Sequence, residues 1–171
     1  MKSLDELTEL EKVWLACALD TEGHISLFKT HPRGKPYLTA RIGIANTNLN
    51  FLQRICWLAG GNIRYKDEAK FICLQWQLYG QKRVLEFLEC VFPYLIIKRE
   101  RAKVVIDFCR YRLRYSGRGR FRLYDDKDWG YNDRMKAVIE AENIARKIRG
   151  ESQWLRKSPT SGLSRQKSVK G

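Results

Sequence analysis

The chain has 171 residues, 44% of them hydrophobic and 30% charged, which is enough for one globular domain with its own core. Its 33 basic and 19 acidic residues give a formal net charge of +14. This excess predicts a polyanionic partner, because Lys and Arg that neutralise phosphates release bound counterions. Charge alone leaves one alternative open, a soluble basic protein without such a partner.

Cysteine usage argues against a disulfide framework and against a structural zinc site. Five cysteines are widely spaced in apolar surroundings, no CxxC pair occurs, and the chain has two histidines. They are Cys17, Cys56, Cys73, Cys90 and Cys109. We expect reduced, buried thiols in an intracellular protein of the cytoplasm, nucleoid or an organelle matrix. No apolar run predicts a membrane helix and no signal-peptide pattern is present, so a membrane is not an expected partner.

The first helix has a clear start and end. Thr8 followed by Glu11 forms a capping box, and helical apolar spacing runs from there to about Asp20, before Gly23. Six acids lie in residues 1–22, whereas residues 97–122 hold ten basic residues. This segregation is typical of an acidic metal-binding centre flanked by phosphate-binding surfaces.

Alternating apolar residues predict four strands, and helical spacing predicts two helices between and after them. In chain order these are strands 24–30 and 37–45, helix 48–59, strands 62–66 and 71–79, and helix 81–91, with a breaker-rich turn at 31–36. In the third strand Ile63 and Tyr65 are expected to be buried. The order predicts an α+β fold that contains two hairpins, each followed by a helix.

The C-terminal third is predicted to add helices and a tail. Helical spacing covers 97–112 and 133–149, a glycine-rich break falls at 116–120, and 150–171 is polar and basic. We therefore predict one domain over residues 1–149, with a core at about 8–112, and a flexible tail over 150–171.

The segment 15–23, with the sequence LACALDTEG, joins a small-residue helix face to two carboxylates and a terminal glycine. It resembles the signature of the LAGLIDADG homing endonucleases. Identical positions are Leu15, Ala16, Asp20 and Gly23; Leu19 and Glu22 match by type, and Cys17 and Thr21 stand where the family has smaller residues. The resemblance extends over about residues 8–106. It implies the family's αββαββα core with an antiparallel DNA-binding sheet, followed here by C-terminal helices.

A single copy of this motif implies a homodimer in the family. The acid at the eighth motif position, here Glu22, is the family's metal ligand, which implies Mg²⁺, with Mn²⁺ as a substitute. If the two motif helices pack along a two-fold axis, two Glu22 side chains come together, as two-metal phosphodiester cleavage requires. Asp20, at the sixth position, is expected to bond backbone near the helix end.

Two further residues are catalytic candidates through the same resemblance. Lys98 follows a proline and an apolar run, as does the family lysine beside the scissile phosphate. Asn46 matches the amide that positions the attacking water, although Asn48 competes for this role. A plain phosphate-contacting or solvated lysine is the alternative for Lys98.

Small side chains on the motif helix predict where a second copy would pack. The expected dimer contacts are Trp14, Ala16, Cys17, Ala18 and Thr21. The same face could instead pack against the chain's own core, an alternative that Val13 and Trp14 support equally.

Outward strand residues predict a DNA-facing surface, because a β-ribbon fits the major groove, where Arg pairs with guanine and Gln with adenine. The candidates are Ser26, Phe28, Thr30, Arg33, Tyr37, Thr39, Arg41, Arg64, Lys66, Gln75 and Gln77. An ordinary solvated sheet face is the alternative for each of them taken singly.

The resemblance implies a site-specific endonuclease that binds a long, near-palindromic DNA site as a homodimer and cuts both strands across the central minor groove. A free-standing chain of this size favours a gene carried within an intron. Two alternatives stay open. One is an RNA maturase of the same fold that assists group I intron splicing, with the arginine-rich segment 110–122 as its RNA contact. The other is a non-cleaving DNA-binding regulator.

Overall fold

The computed structural model describes residues 3–30, 37–68, 71–114 and 126–156, without the side chains of 30, 37, 66–68, 71, 72, 126 and 146–156. These residues contain helices α1 (Glu9–Glu22), α2 (Leu49–Ala59), α3 (Gln81–Val91), α4 (Arg99–Arg114) and α5 (Asp126–Arg156). They also contain strands β1 (Gly23–Thr30), β2 (Tyr37–Asn46), β3 (Asn62–Glu68) and β4 (Phe71–Tyr79). Single 3₁₀ turns occupy Leu4–Glu6 and Phe92–Tyr94. The predicted α+β order αββαββα, followed by C-terminal helices, is confirmed.

All four strands form one antiparallel sheet in the order β1-β2-β4-β3. The two hairpins therefore meet through their second strands, with Ile42 of β2 opposite both Ile25 of β1 and Leu78 of β4. Because side chains alternate across a strand, these three residues share one face and their sequence neighbours share the other. The sheet thus has an apolar face and a polar face.

Helices cover the apolar face and build the core with it. The largest fully buried side chains come from α1, α2, α3, α4 and the strands; they include Leu15, Leu19, Ile25, Leu38, Ile42, Ile44, Leu52, Ile55, Trp76, Phe87 and Phe108. At its centre the Trp76 ring contacts Phe87, with 5.8 Å between ring centroids, and its indole N–H donates to the carbonyl of Gly60 at 2.6 Å. This core fixes the polar sheet face toward the outside.

The start of α1 is the predicted capping box. Thr8 Oγ1 accepts from the backbone N–H of Glu11, and the Glu11 carboxylate accepts from the backbone N–H of Thr8. The two bonds satisfy donors that the first turn of a helix leaves free. They hold the chain entering the helix that carries the LACALDTEG motif.

Several sequence-based expectations differ from the structure. Tyr65 was expected to be buried but is 80% exposed, because it lies on the edge strand β3, which has a neighbouring strand on one side only. The last helix runs over Asp126–Arg156 instead of 133–149, so residues 150–156 are helical. The predicted turn at 31–36 and break at 116–120 lie outside the described residues, as does 157–171.

All five cysteines lie in the described part of the chain as free thiols. Burial, with a smaller contribution from Glu89, raises the pKa of the Cys109 thiol to about 12, so Cys109 is protonated at neutral pH. The expectation of buried thiols is met by Cys109 only, since Cys56, Cys73 and Cys90 are half-buried and Cys17 is exposed. Among the described helices none is long and apolar enough to cross a membrane.

The chain divides into two compact units, Met1–Val138 and Ile139–Gly171. The sheet and its covering helices belong to the first unit, as does the beginning of α5. The domain limits of 1–149 inferred from the sequence stay a prediction.

A buried ion pair attaches the start of α5 to α4. Arg112 Nη1 donates to Asp128 Oδ2 at 2.9 Å, and the two side chains are 6% and 0% exposed. Removing one member of a buried pair leaves the other charge uncompensated in a low-dielectric environment. The pair therefore places one buried carboxylate between α4 and the start of α5, beside the contacts of Tyr131 with Phe108 and Tyr111.

We expect Asp128→Asn to lower the free energy of unfolding by about 3 kcal/mol, because it strands the Arg112 charge. The matched control is Asp133→Asn, which removes an exposed pair with Lys136 and should cost about 0.5 kcal/mol or less. Urea unfolding measures both. Equal effects of the two substitutions would contradict the assigned role of the buried pair.

Candidate active site and nucleic-acid interface

The two acids of the motif occupy different environments at the end of α1. Asp20 is 8% exposed, whereas Glu22, two residues further along the helix, is exposed. The helix ends at Gly23, where a Cβ would collide with the Leu19 backbone, so a glycine is needed for β1 to leave directly from the helix. One acid thus turns into the protein and the other toward solvent.

Asp20 is bonded to the loop that begins α4. Its carboxylate accepts the backbone N–H groups of Ile96 at 2.7 Å, Ile97 at 3.1 Å and Lys98 at 2.8 Å. An anion at a helix N-terminus is stabilised by the free N–H groups and the helix dipole. Asp20 does bond backbone, as expected, but this backbone lies nearly eighty residues away instead of at its own helix end.

Lys98 completes this contact in the opposite direction. Its side chain is buried, and its ammonium donates to the carbonyl of Leu19 at 2.9 Å and to the carbonyl of Asp20. A cation at a helix C-terminus satisfies carbonyls that have no partner within the helix. We call this pair of reciprocal contacts the Asp20–Lys98 clasp; it joins the end of α1 to the start of α4.

The clasp places the Lys98 ammonium next to the peptide that leads to Glu22, yet not on the surface. Lys98 is 3% exposed, so its head group is directed at the helix end and not at solvent. The resemblance led us to expect it beside a scissile phosphate. The structure instead gives its ammonium partners within the chain, the carbonyls of Leu19 and Asp20.

The two asparagine candidates have distinct local roles. Asn48 is the N-cap of α2, and its Oδ1 accepts from the backbone N–H of Phe51 at 3.1 Å. Asn46, the last residue of β2, accepts the backbone N–H of Asn48 at 2.8 Å with its own Oδ1. The Asn46 amide nitrogen remains to donate, so Asn46 stays the candidate for positioning a water.

The exposed face of α1 differs from the one expected. Cys17 and Thr21 are exposed, and the Thr21 hydroxyl donates to the Cys17 carbonyl at 2.9 Å, so it does not present an open donor. Trp14 is half-buried, but Ala16 and Ala18, at 0% and 5% exposure, lie in the chain's own core. These two alanines therefore do not belong to a surface that a second copy could reach.

Other apolar residues take their place on this surface. Leu10 is 81% and Val13 42% exposed, and with Cys17 they follow each other at helical spacings of three and four. Leu10 and Val13 were not among the dimer contacts expected from the sequence. Helical spacing could have found this stripe, but it could not show that α1 is apolar on two sides.

The neighbouring helix α2 extends this surface. The rings of Trp14 and Phe51 meet edge to face, with centroids 5.5 Å apart, and Arg54 lies within 3.5 Å of the Glu11 carboxylate. Trp57, 44% exposed, is stacked under Arg54 at 4.8 Å. We call the exposed residues Leu10, Val13, Cys17 and Trp57 the apolar stripe.

Most of the expected DNA-facing residues with described side chains share the polar sheet face. These are Ser26, Phe28, Thr39, Arg41, Arg64, Gln75 and Gln77. Arg33 lies outside the described residues, and the side chains of Thr30, Tyr37 and Lys66 are not described. Gln77 is only 7% exposed, so it is a poor direct contact for a large ligand.

Aromatic rings organise the cations on this face. The Arg41 guanidinium lies over Phe28 at 4.9 Å, Phe28 meets Tyr79 edge to face at 6.3 Å, and Arg64 lies over Tyr79 at 5.8 Å. Tyr79 was not among the expected DNA-facing residues, although its spacing of two from Gln77 on β4 places it on the same sheet face. The face thus presents fixed positive charge.

We expect Asp20→Ala to lower the free energy of unfolding by about 3 kcal/mol or more, because three N–H groups lose a charged acceptor. Glu22→Ala, the matched control, should change it by about 0.5 kcal/mol or less, since that side chain is exposed. Chemical denaturation of both variants measures the difference. A loss on Glu22→Ala as large as on Asp20→Ala would overturn the division between the two acids.

Comparison of the fold finds similar solved structures, whereas no protein-family profile and no curated protein sequence matches the chain. The homing endonuclease I-CvuI, solved in complex with DNA, superposes with a TM-score of 0.55 and 18% identity over 76% of this chain and 95% of its own. I-TnaI gives 0.59 and 14% over 79% and 99%, and the group I intron-encoded I-CeuI, complexed with DNA, gives 0.59 and 14% over 76% and 68%. The chain therefore has the LAGLIDADG homing endonuclease fold, as its motif predicted.

Proposed function

We propose that the protein is a homing endonuclease that binds a long, near-palindromic DNA site as a homodimer and hydrolyses both strands with Mg²⁺ across the central minor groove. The observation that carries the proposal is the position of Glu22. It is an exposed acid at the end of the motif helix, and the Asp20–Lys98 clasp holds that helix end in place. Intron homing is part of the proposal because I-CeuI, which shares the fold, is group I intron-encoded.

The apolar stripe supports dimerisation. Contiguous exposed apolar side chains on a small protein mark a contact surface, and a two-fold contact uses the same patch on both copies. Because three of the four stripe residues lie on α1, self-association through them would bring the C-terminal ends of two α1 helices, and therefore two Glu22 side chains, toward the same axis. The exposed side chains of α1 at that end, Cys17 and Thr21, are small, so they would let two helices approach closely.

Glu22 suits Mg²⁺, because this ion takes one or two carboxylates and completes its coordination with water and phosphate. The C-terminal end of a helix also favours a cation. Among the described residues of one copy, no group of three His, Cys, Asp or Glu side chains is placed so that it could hold a metal ion. Ligands from a second Glu22, from DNA phosphate and from water would therefore complete the site, where the bound ion would stabilise the attacking and leaving oxygens.

The structure changes how Lys98 would contribute. We propose that it acts first as a positioning residue, since its ammonium holds the Leu19 and Asp20 carbonyls and so fixes the helix end from which Glu22 projects. Asn46 would orient the attacking water through its amide nitrogen.

The polar sheet face supports DNA as the partner. Arg41 and Arg64 supply charge for phosphates or guanine, and the net charge of +14 favours association with any polyanion. The maturase alternative loses part of its basis, because Arg110 pairs with Glu89 at 2.7 Å and Arg112 with Asp128. Two arginines of the segment 110–122 thus serve contacts within the chain.

We expect Glu22→Gln to abolish cleavage while leaving DNA affinity nearly unchanged, because the substitution removes metal binding and no base or phosphate contact. The control, Glu86→Gln, removes an exposed carboxylate on α3 and should cut normally. The assay is cleavage of a genomic or randomised duplex library in Mg²⁺, Ca²⁺ or EDTA, followed by sequencing of the ends. Cleavage by Glu22→Gln at the wild-type rate would refute the metal assignment.

Cys17→Arg is expected to dissociate the proposed dimer, because it would bury an unpaired charge in a narrow contact. We expect the dimer dissociation constant to rise at least about a hundredfold. Sedimentation equilibrium measures the change, with Glu86→Arg on α3 as the control that introduces the same side chain elsewhere. A wild-type protein that is monomeric with bound DNA would contradict the homodimer.

A further inference from the structure

Three side chains on the polar face of β4 form a chain of hydrogen bonds. The Tyr79 hydroxyl donates to Gln77 Oε1, and Gln77 Nε2 donates to Gln75 Oε1 at 2.5 Å. The residues alternate along the strand, so all three lie on the face proposed to contact DNA. We call this chain the Tyr79–Gln77–Gln75 relay.

In the relay the Gln77 amide has one orientation, with its oxygen toward Tyr79 and its nitrogen toward Gln75. A glutamine amide can rotate so that its oxygen and nitrogen exchange places, and its hydrogen-bond partners decide which orientation is stable. In Gln77 the oxygen is held by a hydroxyl and the nitrogen by a carbonyl oxygen, and the side chain is 7% exposed. Gly43 stands opposite on β2, and the His24 ring fills the space above it.

This orientation determines what Gln75 offers to a ligand. Its oxygen already accepts from Gln77, whereas its NH₂ group keeps both hydrogens to donate. Arg64 stands directly opposite Gln75 on β3 and carries only donors. The pair therefore presents donors side by side.

Base edges in the major groove respond differently to such a pair. Guanine presents two acceptors, N7 and O6, whereas adenine presents an acceptor and a donor. A freely rotating glutamine reads adenine by donating to N7 and accepting from the amino group. With its oxygen engaged, Gln75 beside Arg64 is suited to guanine.

We propose that Tyr79 is a specificity-determining positioning residue: through the relay its hydroxyl holds Gln75 as a donor, so that Gln75 and Arg64 select guanine over adenine at one position of each half-site. This inference rests on the proposed function, in which the polar sheet face meets the major groove. Without the hydroxyl, the Gln77 amide can turn over and release the Gln75 oxygen to accept from adenine.

The test compares wild-type protein, Tyr79→Phe and Tyr65→Phe by selecting bound duplexes from a randomised DNA library in Ca²⁺. Tyr65 is the matched control, because it is an exposed tyrosine on the neighbouring strand and lies on the opposite sheet face. Phenylalanine keeps the ring that contacts Phe28 and Arg64, so the substitution removes the hydroxyl alone. We expect Tyr79→Phe to reduce guanine-over-adenine preference about tenfold at one position per half-site, with other positions unchanged.

A double variant separates positioning from general destabilisation. If Tyr79 acts through Gln75, then Tyr79→Phe adds no further change in base preference to a Gln75→Leu background. An additive effect, or a Tyr79→Phe preference equal to wild type at every position, would overturn the relay. Wild-type protein that selects no DNA sequence at all would instead overturn the proposed function, and the relay's role in recognition with it.

The relay also has a readout that needs no DNA. In NMR spectra of the free protein, Tyr79→Phe should shift the side-chain amide resonances of both Gln77 and Gln75, whereas Tyr65→Phe should leave them in place. Unmoved glutamine amides in Tyr79→Phe would show that the hydroxyl does not orient them, even where the DNA-binding function holds.

Discussion

The Asp20–Lys98 clasp is the contact on which the geometry of the candidate active site depends. A carboxylate near the end of one helix accepts N–H groups at the start of another, and the lysine at that start returns bonds to the carbonyls of the first. Each charge therefore faces the complementary end of a helix dipole. Glu22 follows two residues after Asp20, so its position is set by a contact between segments far apart in the sequence.

Two acids of one motif thus have opposite uses. The Asp20 carboxylate accepts backbone N–H groups and contributes to stability, whereas Glu22 is exposed and remains available to a ligand. The same division occurs on the polar sheet face, where the Gln77 amide is engaged with its neighbours and Gln75 keeps free donors. In both places a buried polar residue with satisfied bonds lies close in sequence to a less buried one that keeps groups for a ligand.

Much of the fold could be predicted because its signals are local. Thr8 and Glu11 gave the start of α1, and alternation gave the four strands to within a residue or two. The predicted burial of Tyr65 was wrong because alternation assigns a residue to a sheet face but cannot show how far the covering helices reach. Ala16 and Ala18, expected at a dimer contact, lie in the core of the chain for a similar reason. Helix α1 is apolar on two sides, and spacing cannot tell which side faces the core.

The sequence by itself determined the α+β order, the motif with its two acids, the basic charge and the set of outward strand residues. All of these depend on residue type and on periods of two or 3.6 residues. Only the tertiary structure decided that Lys98 reaches the Leu19 carbonyl, that Leu10 and Val13 are exposed, and that the Tyr79 hydroxyl meets Gln77 Oε1. Contacts of this kind depend on side-chain directions and on the packing of distant segments, which no local pattern encodes.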